Sequence, residues 1–293
     1  MILKQNKISD YLEKVKTIGM GGHIRPDGDC VGSCMGLYTY LKHQYSDINV
    51  DLYLEPIPDK FKFLKYSDEI KNSYDGDKEY DLFISLDSSD IDRLGEFEPY
   101  FNNAKKTLCI DHHISNTGFA MDNIVFPKAS SASEVVYTLL DEDKVDYDVA
   151  CALYLGIIHD SGVFKYSNTS AATMTIAGKL MEKGIPFTNI IDNTFYTKTY
   201  VQNQILGRAL LESVLFYDGK CIFSVVKKSE FDFYNITNKD LDGIVEQLRI
   251  TKGVECAIFL YEVGELEYKV SLRSNEIVDV SAIATYFGGG GHI

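Results

Sequence analysis

Acidic and histidine side chains recur directly after apolar runs of this chain. The four groups are His23, Asp27 and Asp29; Asp87 after 82–86; Asp111, His112 and His113 after 108–110; and Asp160 at the end of a helix-like segment. Imidazole and carboxylate donors together suit Mn²⁺ or a similar divalent ion. A carboxylate can also bridge two such ions, as in two-metal hydrolases. We therefore interpret the four groups as a two-metal hydrolytic centre.

Each group also has a purely structural interpretation. Asp27 could cap the next helix, and Asp87 could do the same after its strand. The neighbours His112 and His113 are harder to explain, because after a buried strand at least one of them would need a partner. A carboxylate such as Asp160 at a helix C-terminus is opposed by the helix dipole, so it needs a compensating cation. The convergence of the four groups favours a metal centre.

A further candidate site lies near the end of the sequence. Arg273 and Ser274 fall in a predicted strand, and glycines 288–291 precede His292. Glycine lets backbone N–H groups approach a phosphate closely, and an arginine can bind a second phosphate through two parallel hydrogen bonds. Glycine-rich runs are also common in flexible chain ends, so these residues alone leave both interpretations open.

The elements that must position the first groups alternate between strand and helix. The predicted strands are 14–23, 49–54, 80–86 and 107–110, and the predicted helices lie after residue 28, at 133–140 with Ser130 or Ser131 as cap, and at 148–159. This alternation predicts a doubly wound, mainly parallel α/β domain. Ligands bind beyond the carboxyl ends of the strands in such sheets, which is where most of the acidic and histidine residues fall.

The pattern changes after a polar, aromatic stretch at 186–205, where we place the domain connection, which leads into a helix near 204–213. Strands are predicted at 220–226, 256–262 and 268–272, with a helix at 241–248. The second part is therefore expected to be a smaller α/β domain.

The amino-acid composition limits the kinds of substrate and partner that the protein can bind. The net charge of −14 and the pI near 4.9 disfavour long nucleic acid, since that affinity depends on a basic surface. A small phosphorylated substrate remains compatible if metal ions and a few arginines neutralise it locally. No apolar run of membrane-spanning length and no signal peptide is evident. We expect a cytoplasmic protein whose six cysteines are reduced and mostly buried.

Five motifs, in this order, closely resemble those of the DHH phosphoesterase family. They are GHIRPDGDCVGS (22–33), LDSSD (86–90), IDHHISN (110–116), HDSGVFKYSN (159–168), and SLRS with GGGGH within 271–292. The resemblance covers nearly the whole chain. Its branch is similar to the RecJ-like bacterial oligoribonucleases, or nanoRNases, which also act as phosphatases of 3′-phosphoadenosine-5′-phosphate (pAp).

The resemblance implies two divalent metal ions, expected to be Mn²⁺. By matching positions, the resemblance implies that His23, Asp27 and Asp87 hold one ion. The other would be held by Asp29, Asp87, His112 and Asp160, so that Asp87 bridges the pair. His113 and Asp87 are the implied catalytic residues, with His113 beside the scissile phosphate. The implied substrate-binding residues are Arg273, Ser274, Gly288, Gly289, Gly290, Gly291 and His292.

The resemblance also implies a domain division. A DHH catalytic domain is expected at 1–190, a linker and connecting helix at 191–210, and a DHH-associated substrate-binding domain at 211–293. In the family, further chain follows the glycine-rich motif, so we expect the last domain to be truncated after Ile293. Phe164 and Tyr166 could face a base, although core packing explains them equally well.

We therefore predict a two-metal phosphoesterase that releases 5′-mononucleotides from short RNA, phosphate from pAp, or both. The alternatives are a phosphodiesterase for cyclic dinucleotides or their linear products, and a non-catalytic nucleotide-binding module. A pyrophosphatase is disfavoured because its lysine- and arginine-rich second domain is missing here, and a structural metal site because such sites are cysteine-rich.

Overall fold

The computed structural model describes residues 7–76 and 78–289, which divide into two compact units between Thr197 and Lys198. The strands of unit 1 are β1 (Thr17–Gly21), β2 (Asn49–Tyr53), β3 (Leu82–Leu86), β4 (Thr107–Asp111) and β5 (Asp122–Val125). Its helices are α1 (Gly28–Gln44), α2 (Glu98–Asn102), α3 (Ala132–Leu139), α4 (Tyr147–Asp160), α5 (Ala171–Met181) and α6 (Phe187–Ile191).

The unit 1 sheet is parallel throughout, with strand order β2-β1-β3-β4-β5. Successive side chains of a strand point to opposite faces, and both faces are apolar. Ile84 of β3 joins the large core formed with α1, α3 and α4, whereas Phe83 joins a mainly aromatic cluster with Tyr100 and Phe101 on the other side. The predicted doubly wound, mainly parallel fold is therefore confirmed.

Helices α1 and α4 pack along each other at very short distance, because small residues line their contact. A Cβ atom on Gly32 would lie 2.6 Å from the backbone nitrogen of Gly156, and one on Gly36 would lie 2.5 Å from the side chain of Leu153. Cβ atoms do not come this close to backbone in well-packed proteins. The two glycines thus set the spacing between the helix that begins at Gly28 and the helix that ends at Asp160.

Unit 2 is a smaller α/β unit with its own core. Its helices are α7 (Tyr200–Leu211), α8 (Lys228–Tyr234), α9 (Ile244–Arg249) and α10 (Val280–Tyr286), and its strands are β6 (Val214–Phe216), β7 (Cys221–Val226), β8 (Cys256–Gly264) and β9 (Glu267–Ser274). The sheet order is β6-β7-β8-β9, with only the β7/β8 pair parallel. Buried residues such as Ile222, Leu248 and Phe259 form the core.

Several elements differ from the sequence-based expectation. Strand β5 and helix α5 were not predicted, and the stretch expected to be an irregular connection holds α6 and a π-helical turn at Asp192–Tyr196. Helix α7 begins at Tyr200, four residues before its predicted start. Within the part of the chain that the structure describes, no helix has the length and hydrophobicity to cross a membrane.

Candidate metal centre

The carboxyl ends of β1, β3 and β4 lie side by side. Gly21 pairs with Ser85, and Ser85 with Cys109, so the three strands end at one level. The residues that follow these ends are those singled out from the sequence. Strands β1 and β3 are also the neighbours at which the order of the sheet changes direction, the usual position of a ligand site in such a fold.

Asp87 lies in the middle of the site. Its carboxylate Oδ2 is 3.5 Å from Nε2 of His23, and Oδ1 is 3.5 Å from Nε2 of His112. The residue is buried, its φ of +51° is unusual for a residue other than glycine, and its N–H donates to the carbonyl of Ile110. Such a backbone conformation persists only where the surroundings enforce it. The two oxygens of one carboxylate therefore face two separate groups of donor atoms.

The first group contains His23 and Asp27. Nδ1 of His23 lies 2.8 Å from the carbonyl oxygen of Ile24, which fixes the ring and leaves Nε2 directed at Asp27 Oδ1, 3.7 Å away. Asp27 also caps α1 by accepting hydrogen bonds from the N–H groups of Asp29 and Cys30. The capping interpretation of Asp27 is thus confirmed, and the cap positions a carboxylate that faces the site. Its role as a metal ligand stays a prediction.

The second group contains Asp29, His112 and Asp160. Nε2 of His112 is 3.8 Å from Asp29 Oδ2 and 3.2 Å from Asp160 Oδ2. Asp29 is held by the first turn of α3, because its carboxylate accepts hydrogen bonds from the N–H groups of Ala132, at 2.6 Å, and Ser133, at 3.0 Å. The close packing of α1 on α4 places Asp29 and Asp160 within reach of the same imidazole.

Without cations, the ionisable groups of the site share protons. Burial lowers the pKa of His23, but the facing carboxylates of Asp27 and Asp87 outweigh that effect and raise the pKa to about 12. Burial likewise opposes protonation of His112, whose pKa nevertheless rises to about 10 beside Asp87. Burial and neighbouring carboxylates raise the pKa of Asp160 to about 6, and the pKa of Asp29 also rises. This much buried negative charge requires positive charge nearby.

Divalent cations would satisfy these groups. The nitrogen–oxygen distances of 3.5–3.8 Å around Asp87 and Asp29 exceed those of a good hydrogen bond. Oδ1 of Asp87 is buried and has no hydrogen-bond partner among the described residues. Three sets of residues each supply donor atoms that lie within 4.8 Å of one another inside the set. The sets are His23, Cys30 and Asp87; Asp87, His112 and His113; and Asp29, His112 and Asp160. The donor chemistry suits metal ions of the Mn²⁺ type.

His113 is oriented by a chain of hydrogen bonds that sequence reasoning did not identify. Its Nδ1 donates to Oδ1 of Asp111 at 2.7 Å, and Oδ2 of Asp111 accepts from Asn116 at 2.7 Å. Asp111 is fully buried, and its hydrogen bond raises the pKa of His113. The sequence of the motif alone does not show that the side chain of Asp111 points inward and orients the ring of His113.

Cys30 and Glu134 were also missed as contributors to the site. The sequence predicts only a reduced, buried cysteine at Cys30, yet its sulfur belongs to one of the three donor sets. Glu134 is buried, and its carboxylate accepts hydrogen bonds from Ser130 and Thr173, which fixes the start of α3 beneath Asp29. A capping signal at Ser131, which is the observed N-cap of α3, was the only indication of this arrangement.

Phe164 and Tyr166 differ in their surroundings. Phe164 is half-buried and packs edge-on against Tyr154, whereas Tyr166 is exposed, with its ring lying against Gly162. Residues 162–164 all have positive φ angles, so the chain makes a tight left-handed turn directly after Asp160. Packing therefore explains Phe164, and only Tyr166 presents an exposed ring.

The candidate substrate residues of unit 2 are described only in part. Arg273 is exposed on β9, where its Nη1 donates to the neighbouring carbonyl of Leu272, and Ser274 is half-buried. The N–H groups of Gly288 and Gly289 donate to carbonyls in the last turn of α10, which gives these glycines a capping role. Gly290, Gly291 and His292 lie outside the described residues. A role in phosphate binding stays a prediction for all of them.

Fold and site together define a two-unit α/β protein with a centre of imidazole and carboxylate donors. Residues 17–157 match the family model described as the DHH family, N-terminal domain, and residues 218–293 match the DHHA1 domain. The chain therefore belongs to the DHH family.

Relatives of known name agree with this assignment. The chain is 28% identical to the bifunctional oligoribonuclease and PAP phosphatase NrnA of Thermus thermophilus, covering 99% of this chain and 86% of that protein. It is 27% identical to the NrnA of Bacillus subtilis, covering 94% and 87%. Its structure is similar to that of an exopolyphosphatase-related protein from Bacteroides fragilis, with a TM-score of 0.87, 25% identity, and 97% and 87% of the chains covered.

Proposed function

We propose that this protein is a divalent-metal-dependent phosphoesterase that hydrolyses short oligoribonucleotides to 5′-mononucleotides and releases phosphate from pAp. The bridging position of Asp87, with one oxygen toward His23 and the other toward His112, carries the proposal. Relatives named bifunctional oligoribonuclease and PAP phosphatase, similar over nearly the whole chain, support it.

The donor groups have distinct proposed roles. His23, Asp27 and Asp87 would hold one ion, and Asp29, Asp87, His112 and Asp160 the other, with Mn²⁺ as the proposed metal. When bound, such ions polarise phosphoryl oxygens and lower the pKa of water. The protein contributes ligands that are already in place, since Asp29, Asp27 and His23 are each fixed by backbone hydrogen bonds. Preorganised groups of this kind avoid reorganisation during the reaction.

His113 is proposed as the proton donor to the leaving oxygen. Asp111 fixes its Nδ1, which leaves Nε2 as the nitrogen available to substrate, and the ring is only partly exposed. An imidazole oriented by a buried carboxylate is a common arrangement for general acid–base catalysis. Arg273 and Ser274 are the proposed phosphate-binding residues of unit 2.

The acidity of the chain supports short substrates. A net charge of −14 repels a long polyanion, whereas a dinucleotide or pAp carries only a few charges, which two ions and an arginine can neutralise. Free thiols at all six cysteines are compatible with the cytoplasm, the proposed location of the enzyme.

The decisive experiment compares substrates under one metal condition. Purified protein with Mn²⁺ is incubated with a labelled diribonucleotide, a longer single-stranded RNA, pAp and a cyclic dinucleotide. We expect rapid cleavage of the dinucleotide, release of phosphate from pAp, and slow action on the long strand. Repeating the panel with Mg²⁺ and Zn²⁺ tests the choice of metal.

Two controls make the result interpretable. Chelation should abolish turnover and addition of Mn²⁺ should restore it, and the Asp87→Asn variant should be inactive on every substrate. Turnover of the cyclic dinucleotide alone would replace the proposal by the phosphodiesterase alternative. Binding of nucleotides without any turnover would favour a non-catalytic module.

A further inference from the structure

Cys30 places a sulfur atom beside the first group of donors. It lies in the first turn of α1, three residues after Asp27, and it is fully buried. Its Sγ belongs to a set in which one donor atom each from His23, Cys30 and Asp87 lie within 4.8 Å of one another. The sulfur is also 3.8 Å from the carbonyl oxygen of His23. The thiol therefore borders the same position that His23 and Asp87 face.

Its neighbour Cys34 provides an internal comparison. Cys34 lies one turn further along α1 and is equally buried, but it is not part of any of the three donor sets. A Cβ atom on Gly22 would lie 2.3 Å from Sγ of Cys30 and 3.1 Å from Sγ of Cys34, so the absence of a side chain there accommodates both sulfurs. Of these two similarly packed thiols, only that of Cys30 belongs to a donor set among the described residues.

The donors that bind at this position depend on the metal. Imidazole, carboxylate and thiolate are all common ligands of Zn²⁺. The set of His23, Cys30 and Asp87 supplies three of them, and Asp27 Oδ1 faces Nε2 of His23 at 3.7 Å. A site in which all four side chains bound the ion would have no open position for water. A harder ion such as Mn²⁺ favours oxygen and nitrogen donors, so it does not require the sulfur. The nitrogen and oxygen ligand atoms of a tetrahedral zinc site lie about 3.4 Å from one another. This is close to the 3.5 Å and 3.7 Å between Nε2 of His23 and the carboxylate oxygens of Asp87 and Asp27.

We propose that Cys30 is an additional ligand for thiophilic divalent ions, which converts the first metal position into a closed zinc site and makes Zn²⁺ an inhibitor of this enzyme. The inference rests on the proposed function, since it uses the same His23, Asp27 and Asp87. On binding, the S–H bond of Cys30 breaks, its proton passes to solvent, and a sulfur–zinc bond forms without any redox change.

Cadmium serves as the spectroscopic probe, because a cadmium–thiolate bond gives a near-ultraviolet charge-transfer absorption that oxygen and nitrogen ligands do not give. Titration of the metal-free protein with Cd²⁺ should produce this absorption in the unaltered chain and in Cys34→Ser, but not in Cys30→Ser. The apparent affinity for Zn²⁺, measured by calorimetry, should fall at least about tenfold in Cys30→Ser and stay within about twofold in Cys34→Ser.

Two further measurements test sulfur ligation independently of the stability of the variants. Cadmium NMR of the unaltered protein reports one sulfur ligand or none, so the inference is tested even if Cys30→Ser fails to fold. Binding of Mn²⁺, followed by its paramagnetic resonance, shows whether the position remains intact in each variant. A spectrum without sulfur ligation, or charge transfer that survives in Cys30→Ser and disappears in Cys34→Ser, would overturn the inference.

The readouts separate this inference from the proposed function. Sulfur ligation with no hydrolysis under Mn²⁺ would reject the phosphoesterase activity and leave the thiol ligand standing. Hydrolysis under Mn²⁺ with no sulfur ligation would do the opposite. If both hold, the concentration of Zn²⁺ that halves the Mn²⁺-supported rate should be at least about tenfold lower for Cys34→Ser than for Cys30→Ser.

Discussion

The two units hold their candidate residues in very different ways. At the edge of the unit 1 sheet, Asp29, Asp87 and His23 are buried, and each is fixed by backbone hydrogen bonds. In unit 2, Arg273 is exposed, and its guanidinium contacts only the neighbouring carbonyl among the hydrogen bonds of the described residues. Chemistry at a metal centre demands fixed donor positions, whereas a residue that binds a flexible phosphate can be ordered by its ligand.

The largest effect should come from the residue at the centre of the fixed region. Asp87→Asn keeps the volume but removes the charge shared by the two donor groups, so both proposed ions lose a ligand. We expect the turnover number to fall by at least about 1,000-fold, roughly 4 kcal/mol of the barrier. Circular dichroism should show an unchanged fold. Activity within tenfold of the unaltered protein would contradict the bridging role.

A smaller loss is expected at the proton donor. His113→Ala should lower the turnover number about 100-fold, while Mn²⁺ affinity changes little. Asp111→Asn should act through the orientation of His113, with a loss of about 10-fold to 100-fold and a shifted pH–rate profile. A purely structural role for Asp111 would instead lower the melting temperature without moving that profile.

The close packing behind the fixed region can be tested by stability. A Cβ atom on Gly156 would lie 1.9 Å from Oγ of Ser133 and 2.6 Å from Oδ1 of Asp29, so Gly156→Ala should destabilise unit 1 by about 1–3 kcal/mol and weaken metal binding. Gly178 of α5 has open space around its Cβ position. Gly178→Ala is the matched control and should stabilise the helix by about 0.5–1 kcal/mol. Equal melting temperatures for the two variants would refute the packing argument.

The smallest effect is expected in the exposed region. Arg273→Ala should raise the KM for pAp about tenfold, about 1.4 kcal/mol of binding, and leave the turnover number nearly unchanged, since it removes binding common to ground state and transition state. Lys269→Ala, on the same strand and also exposed, is the control and should change neither constant. A fall in turnover as large as that of His113→Ala would mean that unit 2 takes part in the chemistry itself.

The sequence predicted the structure best where the type and position of a residue alone determine which element it belongs to. Strands β3 and β4 are continuous apolar runs, which is typical of strands buried on both faces, and donors placed at their ends had to meet at one edge. Strand β5 was missed because half of its four residues, Asp122 and Asn123, are polar and exposed. Helix α5 was missed because small and polar residues weaken its apolar period.

Other features depend on contacts between distant parts of the chain. Nothing near Asp111 in the sequence shows that it turns inward to support His113, and nothing near Cys30 distinguishes it from Cys34. These roles follow from which side of α1 faces β1 and from the turn after β4. Patterns of one or two residues do not contain that information, because Cys30 and Cys34 lie one turn apart and are equally buried, so only the elements packed around α1 distinguish them.

The hydrogen bonds from Ala132 and Ser133 to Asp29 join positions 103 and 104 residues apart. A folding intermediate in which α1 has formed but α3 has not yet docked leaves this carboxylate without its two donors. High metal affinity should consequently be among the last properties that the chain acquires during refolding, and a newly synthesised protein would remain chemically inert until α3 has docked and α4 has brought Asp160 to the site.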